Sequence, residues 1–231
     1  MRLAVIPARG GSKRIPRKNC RLFFGKPMIA WSIEAALQSG LFDHVVVSTD
    51  DEEIASIARD FGADVPFFRS PDLSGDLVAT RPVVNDAIHR IGALYGPPSQ
   101  VCCLYATAPF VTPEDLVAAH AMMAQGGVEF VFSVAKYSYH IQRALRVNSK
   151  GFVEMCEPDY AASRSQDLED RFHDAGQFYW GRADAFLSNK SALQAASLPY
   201  VMPRERVQDI DTPEDWRFAE LLFRLLHEQH D

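Results

Sequence analysis

Short runs of consecutive apolar residues alternate along this chain with longer stretches whose apolar positions recur every three or four residues. Leu3-Ala4-Val5-Ile6, Val45-Val46-Val47, Val101-Cys102-Cys103-Leu104-Tyr105 and Phe130-Val131-Phe132-Ser133-Val134 are continuous apolar runs, the pattern of strands buried on both faces. Between them, Pro27 to Ser39, Glu52 to Phe61 and about Pro82 to Tyr95 carry the helical period. Pro27 suits a first-turn position, Gly40 and Gly62 suit the stops, Asp50 or Asp51 can cap the second helix, and the third starts near Thr80. Thr-Pro-Glu-Asp occurs twice, at 112–115 and 212–215. Each copy sets a threonine cap, a first-turn proline and two early carboxylates ahead of an apolar helical pattern, which is recurring helix-start chemistry and not an internal repeat. Strand–helix alternation with continuous apolar strands predicts an α/β fold, a mostly parallel sheet covered on both faces.

One stretch breaks the alternation. From Lys136 to about Phe172, Ala144-Leu145-Arg146-Val147 and Phe152-Val153-Glu154-Met155 flank Asn148-Ser149-Lys150-Gly151, a hairpin signal, and a polar segment follows through Arg171. A hairpin plus a long loop inside one α/β domain spanning residues 1–231 is the mark of a functional or assembly insertion.

Composition narrows the class. A chain of 231 residues, 47% hydrophobic and 23% charged, is an ordinary globular domain. Cys20, Cys102, Cys103 and Cys156 have neither metal spacing nor a disulfide framework, and Cys102 and Cys103 would face opposite sides of one strand. No signal-peptide core precedes the first strand and no apolar run has the length of a membrane span, so a cytoplasmic protein away from the membrane is expected. The net charge of −6 argues against a nucleic-acid groove.

Against that acidic background, Ile6 to Asn19 (I-P-A-R-G-G-S-K-R-I-P-R-K-N) concentrates Arg9, Lys13, Arg14, Arg17 and Lys18 around two glycines. A loop of this kind at the end of a first strand suits a polyphosphate, although a solvated basic loop would carry the same charges. It is neither a P-loop nor a dinucleotide fingerprint by spacing. Near the other end, Asp209 and Asp211 alternate about Ile210, so that an extended backbone puts both carboxylates on one face with Ile210 inward. The pair suits Mg²⁺ near a triphosphate, or else is a surface charge beside a helix start.

The loop, together with Leu22-Phe23-Phe24-Gly25-Lys26-Pro27-Met28-Ile29, Val46-Val47-Ser48-Thr49-Asp50, Ala106-Thr107-Ala108-Pro109 and Gln208-Asp209-Ile210-Asp211-Thr212, resembles the CMP-sialic acid synthetase family over nearly the whole chain. Within it, His173 to Gly181 and Arg164 to Glu169 are most similar to the branch that activates pseudaminic acid. The resemblance implies a Rossmann-like sheet of the nucleotide-diphospho-sugar transferase type. It also implies a CTP-dependent cytidylyltransferase using Mg²⁺ and a nine-carbon keto acid sugar, with sialic or legionaminic acid as alternative sugars and a catalytically silent nucleotide-binding module as the non-enzymatic alternative. It implies a homodimer whose 136–172 arm reaches the partner's sugar site. Ala8, Arg9, Gly10, Gly11, Ser12, Lys13 and Lys18 fall on triphosphate positions and Asn19 on the base-reading one, although Lys18-Asn19 would serve equally as a turn pair. Arg69, Thr80 and Thr107 fall on the nucleotide side, with Thr80 also readable as a helix cap. Arg164 and Tyr179 fall on the sugar side, and the neighbouring Gln166, Gln177 and His173 could contact the sugar's amides and hydroxyls. Tyr105 stands where the family has glutamine, and reads as either a sugar contact or core. Lys18, Asp209 and Asp211 are the catalytic candidates, the two aspartates matching the family's metal-binding pair. His173-Asp174 reads more readily as a structural hydrogen bond than as a general base.

Overall fold

In chain order the elements of the computed structural model are β1 (Arg2–Pro7), β2 (Leu22–Phe23), β3 (Lys26–Pro27), α1 (Met28–Gln38), β4 (His44–Ser48), α2 (Glu52–Asp60), α3 (Thr80–Tyr95), β5 (Gln100–Leu104), α4 (Pro113–Met122), β6 (Phe130–Lys136), β7 (Leu145–Val147), β8 (Val153–Met155), β9 (Phe172–Arg182), α5 (Ala183–Leu187), β10 (Ser197–Val201) and α6 (Pro213–Glu228). The structure describes residues 1–188 and 190–228. Six strands form one sheet in the order β10-β6-β9-β5-β1-β4. The pairs β1–β4, β1–β5 and β10–β6 are parallel, and β9 runs antiparallel between β5 and β6.

Continuous apolar runs make these strands because both faces are covered. Cys102 packs into a cluster with Ile33 of α1, Ile54 of α2 and Leu116 of α4. Its neighbour Cys103 packs on the other face with Ile88 of α3 and Phe186 of α5. A third cluster joins Ile15, Phe23, Met28, Phe110, Ile210, Trp216 and Phe223. Its members come from the basic loop, β2, the start of α1, the turn before α4, the segment before α6 and α6 itself, so one apolar body joins the basic loop to the aspartate segment.

Strand β9 was not foreseen as a strand, because its first half, Phe172-His173-Asp174-Ala175-Gly176-Gln177, is polar and lacks alternation. Its register against β6 shifts between Phe132 and Val134. The fully buried Ser133 hydroxyl occupies the break, accepting from the amides of Gln177 (3.2 Å) and Phe178 (3.1 Å), so the bulge leaves no orphaned donor there.

The helix starts are close to those anticipated, with two corrections. Asp51 caps α2 through the Ile54 amide, and Thr112 and Asp115 form a reciprocal capping box on α4. Pro27 sits one residue outside α1. Thr80 is the first residue of α3 and not its cap, since Ala79 occupies that position. Between Lys136 and Phe172, the chain forms the antiparallel β7–β8 ribbon and several short turns, with Leu145, Val147, Phe152 and Val153 all exposed.

Candidate active site

The loop after β1 returns on itself because Asn19, almost fully buried, donates from Nδ2 to the Arg9 carbonyl at 3.1 Å. Part of its backbone is engaged within the protein. The amides of Ala8, Gly10 and Ser12 donate to Ser48 O, Asp50 Oδ1 and Gly10 O, each at 3.0 Å. The amides of Gly11 and Lys13 have no partner among the described residues, so backbone donors at the glycine pair remain available to an anion beside the basic side chains.

Those side chains surround a cavity of about 280 Å³ lined by Arg9, Ser12, Lys13, Lys18, Asn19 and Asp211, with Arg14 and Asp76 at its edge. Lys18 reaches across 193 positions of sequence to the Asp211 carboxylate at 3.3 Å and donates to the Ile210 carbonyl. Arg14 pairs with the other Asp211 oxygen at 2.8 Å. Ile210 is fully buried between the exposed Asp209 and the half-buried Asp211, as the alternation about it requires. Crowding by protein around the Asp209 carboxylate, and next the charge of Asp211, raise the Asp209 pKa above the ordinary aspartate value, against the opposing pull of Lys18.

The aspartate segment is held from both sides by the two Thr-Pro-Glu-Asp sequences. Asp215 accepts from the amides of Asp211 (3.1 Å) and Thr212 (2.7 Å). Asp115 receives a bidentate pair from Arg206 at 2.7 and 2.8 Å, and the Tyr200 hydroxyl at 2.8 Å. Burial raises the Asp115 pKa, but the hydrogen bonds of Arg206, Thr112 and Tyr200 outweigh it and leave the group below its usual value. The second function of each aspartate, tethering the segment that carries Asp209 and Asp211, had no local signal in the sequence. Arg14 and Asp76 were likewise missed as site residues. Asp76 pairs with Arg9 at 2.8 Å and with Lys13, which lowers its pKa, mainly through the Lys13 hydrogen bond.

Two further cavities continue from the basic one. Arg9 and Asp76 also line a space of about 230 Å³ with Arg69, Gly75, Val78 and Thr80. The Arg69 guanidinium is buried there, its Nε donating to Ser48 Oγ at 3.2 Å. Thr80 in turn borders a larger, mostly apolar cavity of about 350 Å³, with Tyr105, Tyr179, Phe130, Phe186 and Leu193. Tyr179 stacks on Phe132, ring centroids 5.0 Å apart, and its hydroxyl donates to Asp174. Burial, followed by that hydrogen bond, raises the Tyr179 pKa, and burial pushes Tyr105 up to about 12, so both remain neutral phenols.

Other candidates lie elsewhere. Gln177 is fully buried, its Nε2 donating to Ala175 O at 2.8 Å and its Oε1 without a partner among the described residues. Thr107 is half-buried in the turn after β5 and borders none of these three cavities. Arg164 and Gln166 are exposed on the 136–172 segment, where Arg164 grips Asp167 at 2.7 and 3.1 Å. His173 Nδ1 is 2.9 Å from the carbonyl of Asp174, not its carboxylate.

Comparison with known proteins agrees with this geometry. The sequence pattern of the family described as "Cytidylyltransferase" matches residues 3–193. The chain is 45% identical to a pseudaminic acid cytidylyltransferase of Campylobacter jejuni, covering 98% of this chain and 97% of that one. It is 36% identical to a CMP-N,N'-diacetyllegionaminic acid synthase of Legionella pneumophila, covering 98% and 97%. Among solved structures, a CMP:2-keto-3-deoxy-manno-octonic acid synthetase complexed with CTP superposes with a TM-score of 0.71 at 19% identity, covering 97% of this chain and 99% of that one. At that identity the likeness speaks for the fold.

Proposed function

Because this chain belongs to the cytidylyltransferase family, we propose that it converts CTP and pseudaminic acid to CMP-pseudaminic acid and pyrophosphate. The observation that carries this reading is the convergence of Arg9, Lys13 and Lys18 with the carboxylate of Asp211 on one cavity. That arrangement can hold a triphosphate beside the Asp211 carboxylate, with Asp209 two residues away on the same extended segment.

The division of labour follows from charge. In-line attack of the sugar's anomeric hydroxyl on the α-phosphate forms one P–O bond as the bond to pyrophosphate breaks, and negative charge grows on the leaving group. Arg9 and Lys13 are positioned to take up that charge, with Ser12 supplying a neutral hydrogen bond. Lys18, anchored by Ile210 and Asp211, holds a fixed positive charge toward the α-phosphate. Asn19 offers an amide to the base from the cavity wall. Asp209 and Asp211 fit a divalent cation such as Mg²⁺ as two hard oxygen ligands on one extended segment, and the Asp209 pKa, raised by burial first and by the charge of Asp211 second, is that of a carboxylate a cation would stabilise. Bound there, the ion would screen the phosphates and polarise phosphorus.

The tyrosine-lined cavity beyond Thr80 supports a sugar subsite for apolar substituents, reached from the nucleotide through the Arg69 cavity. Arg164 lies apart from it, on an arm that also exposes Leu145, Val147, Phe152 and Val153. A homodimer in which the arm of one copy brings Arg164 to the sugar carboxylate of the other accounts for both facts. No described helix is long and apolar enough to cross a membrane.

The experiment is pyrophosphate release from CTP and Mg²⁺ with pseudaminic, legionaminic and sialic acids. We expect the highest kcat/KM with pseudaminic acid. Preference for another acid would overturn the sugar assignment, and CTP binding without release from any acid would overturn the activity.

A further inference from the structure

The basic loop carries one cation that does not face the cavity. Arg17 directly precedes Lys18, and its backbone is left-handed, at a φ of 55°. Few side chains other than glycine, asparagine and aspartate adopt that conformation without support. The support is visible. The Arg17 guanidinium makes a two-pronged contact with Asp51, at 2.5 and 2.8 Å, a further ion pair with Glu53, and a contact to Cys20 Sγ at 3.6 Å. Hydrogen bonding by Arg17 drops the Asp51 pKa to about 2.

The same acidic corner holds the front of the loop. The Gly10 amide donates to Asp50 Oδ1 at 3.0 Å. A Cβ added at Gly10 would lie 2.5 Å from Asp51 Oδ2, so the loop backbone lies against that carboxylate and only glycine fits. Asp50 and Asp51 therefore fasten the loop at its beginning and near its end, with Ser12 and Lys13 spanned between. Asp51 is itself fastened, because Oδ1 caps α2 through the Ile54 amide at 3.0 Å.

We propose that Asp51 is a positioning residue for nucleotide binding: it buckles Arg17 to the start of α2, beside the Gly10 backbone that Asp50 holds, presenting Lys18 and Asn19 to CTP in a preset conformation. The inference rests on the cytidylyltransferase reading and adds to it a residue that touches neither substrate. A loop ordered before binding loses less conformational entropy when the triphosphate arrives. The buckle therefore acts on the nucleotide step and leaves the sugar step alone.

The test uses Asp51→Asn, because asparagine caps helices about as well as aspartate and α2 should survive. The expected result is a fall in CTP affinity of about tenfold. The KM for the keto acid should stay within twofold, and the melting temperature should be almost unchanged. Tryptic cleavage after Lys18 should also become faster, a readout that needs no activity. Glu53→Gln, which removes only the outer ion pair, should give a smaller loss in the same direction. Equal losses for both substrates together with a lowered melting temperature would make Asp51 merely structural. Unchanged CTP affinity and unchanged cleavage would overturn the proposal outright. If the wild type itself failed to bind CTP while Asp51→Asn still loosened the loop toward trypsin, the functional reading would fail and the buckle would stand.

Discussion

A single carboxylate, Asp209, shows how function and stability oppose each other at this site. Its pKa in the folded protein lies above the ordinary value near 4, so the folded state disfavours its charge. The penalty is absent below the unfolded pKa, where the group is protonated in both states, and appears as pH rises through the raised folded value. Asp209→Asn should therefore raise the melting temperature at neutral pH, with the gain vanishing below about pH 4, while turnover is lost. Thermal unfolding at pH 7 and pH 3 checks the sign, and a lower melting temperature at pH 7 would contradict it. Much was legible at this scale. Alternation alone placed Ile210 inside and its two aspartates outside, and the loop's cations stood out against an acidic chain. Asp76 was illegible because its partners Arg9 and Lys13 lie more than sixty positions away, and nothing local marks such a pairing.

At the scale of elements, the two Thr-Pro-Glu-Asp starts show how one short motif performs two tasks. Both cap a helix, as a threonine followed three residues later by a carboxylate should. Each carboxylate then has capacity left over, Asp115 for Arg206 and Tyr200, Asp215 for the Asp211 amide. Asp115 is only 2% exposed, so removing its guanidinium partner leaves a poorly compensated buried charge. We expect Arg206→Ala to cost about 3 kcal/mol in denaturant unfolding, the lower end of the range seen when one member of a buried pair is deleted. A loss below about 1 kcal/mol would mean that Tyr200 and Thr112 suffice. Strand β9 marks the limit of reading elements from pattern. Its polar first half reads as loop, and it becomes a strand because β5 and β6 supply hydrogen-bond partners on both sides and Ser133 fills the irregularity. Such long-range pairing outweighs local propensity.

For the whole molecule, the α/β class followed from apolar runs alternating with helical periods, whereas the reversed direction of β9 carries no sequence mark. Leu145, Val147 and Val153 share one face of the β7–β8 ribbon, and with the adjacent Phe152 they are apolar side chains that a solitary chain would leave in water. If this arm joins two copies, Phe152→Ser with Val153→Ser should convert a dimer to a monomer in light scattering, and sugar turnover should fall more than CTP binding. A variant that keeps both its mass and its kinetics would refute the arm's role. The contact between Lys18 and Asp211 has a different consequence, for synthesis on the ribosome. Chain emerging from the exit tunnel closes the cavity around Lys18 only when residues past 211 are free, so a ligand of that cavity cannot stabilise earlier nascent intermediates. Earlier folding rests on the sheet and the helices packed against it, and such a ligand rewards only a polypeptide translated beyond Asp211.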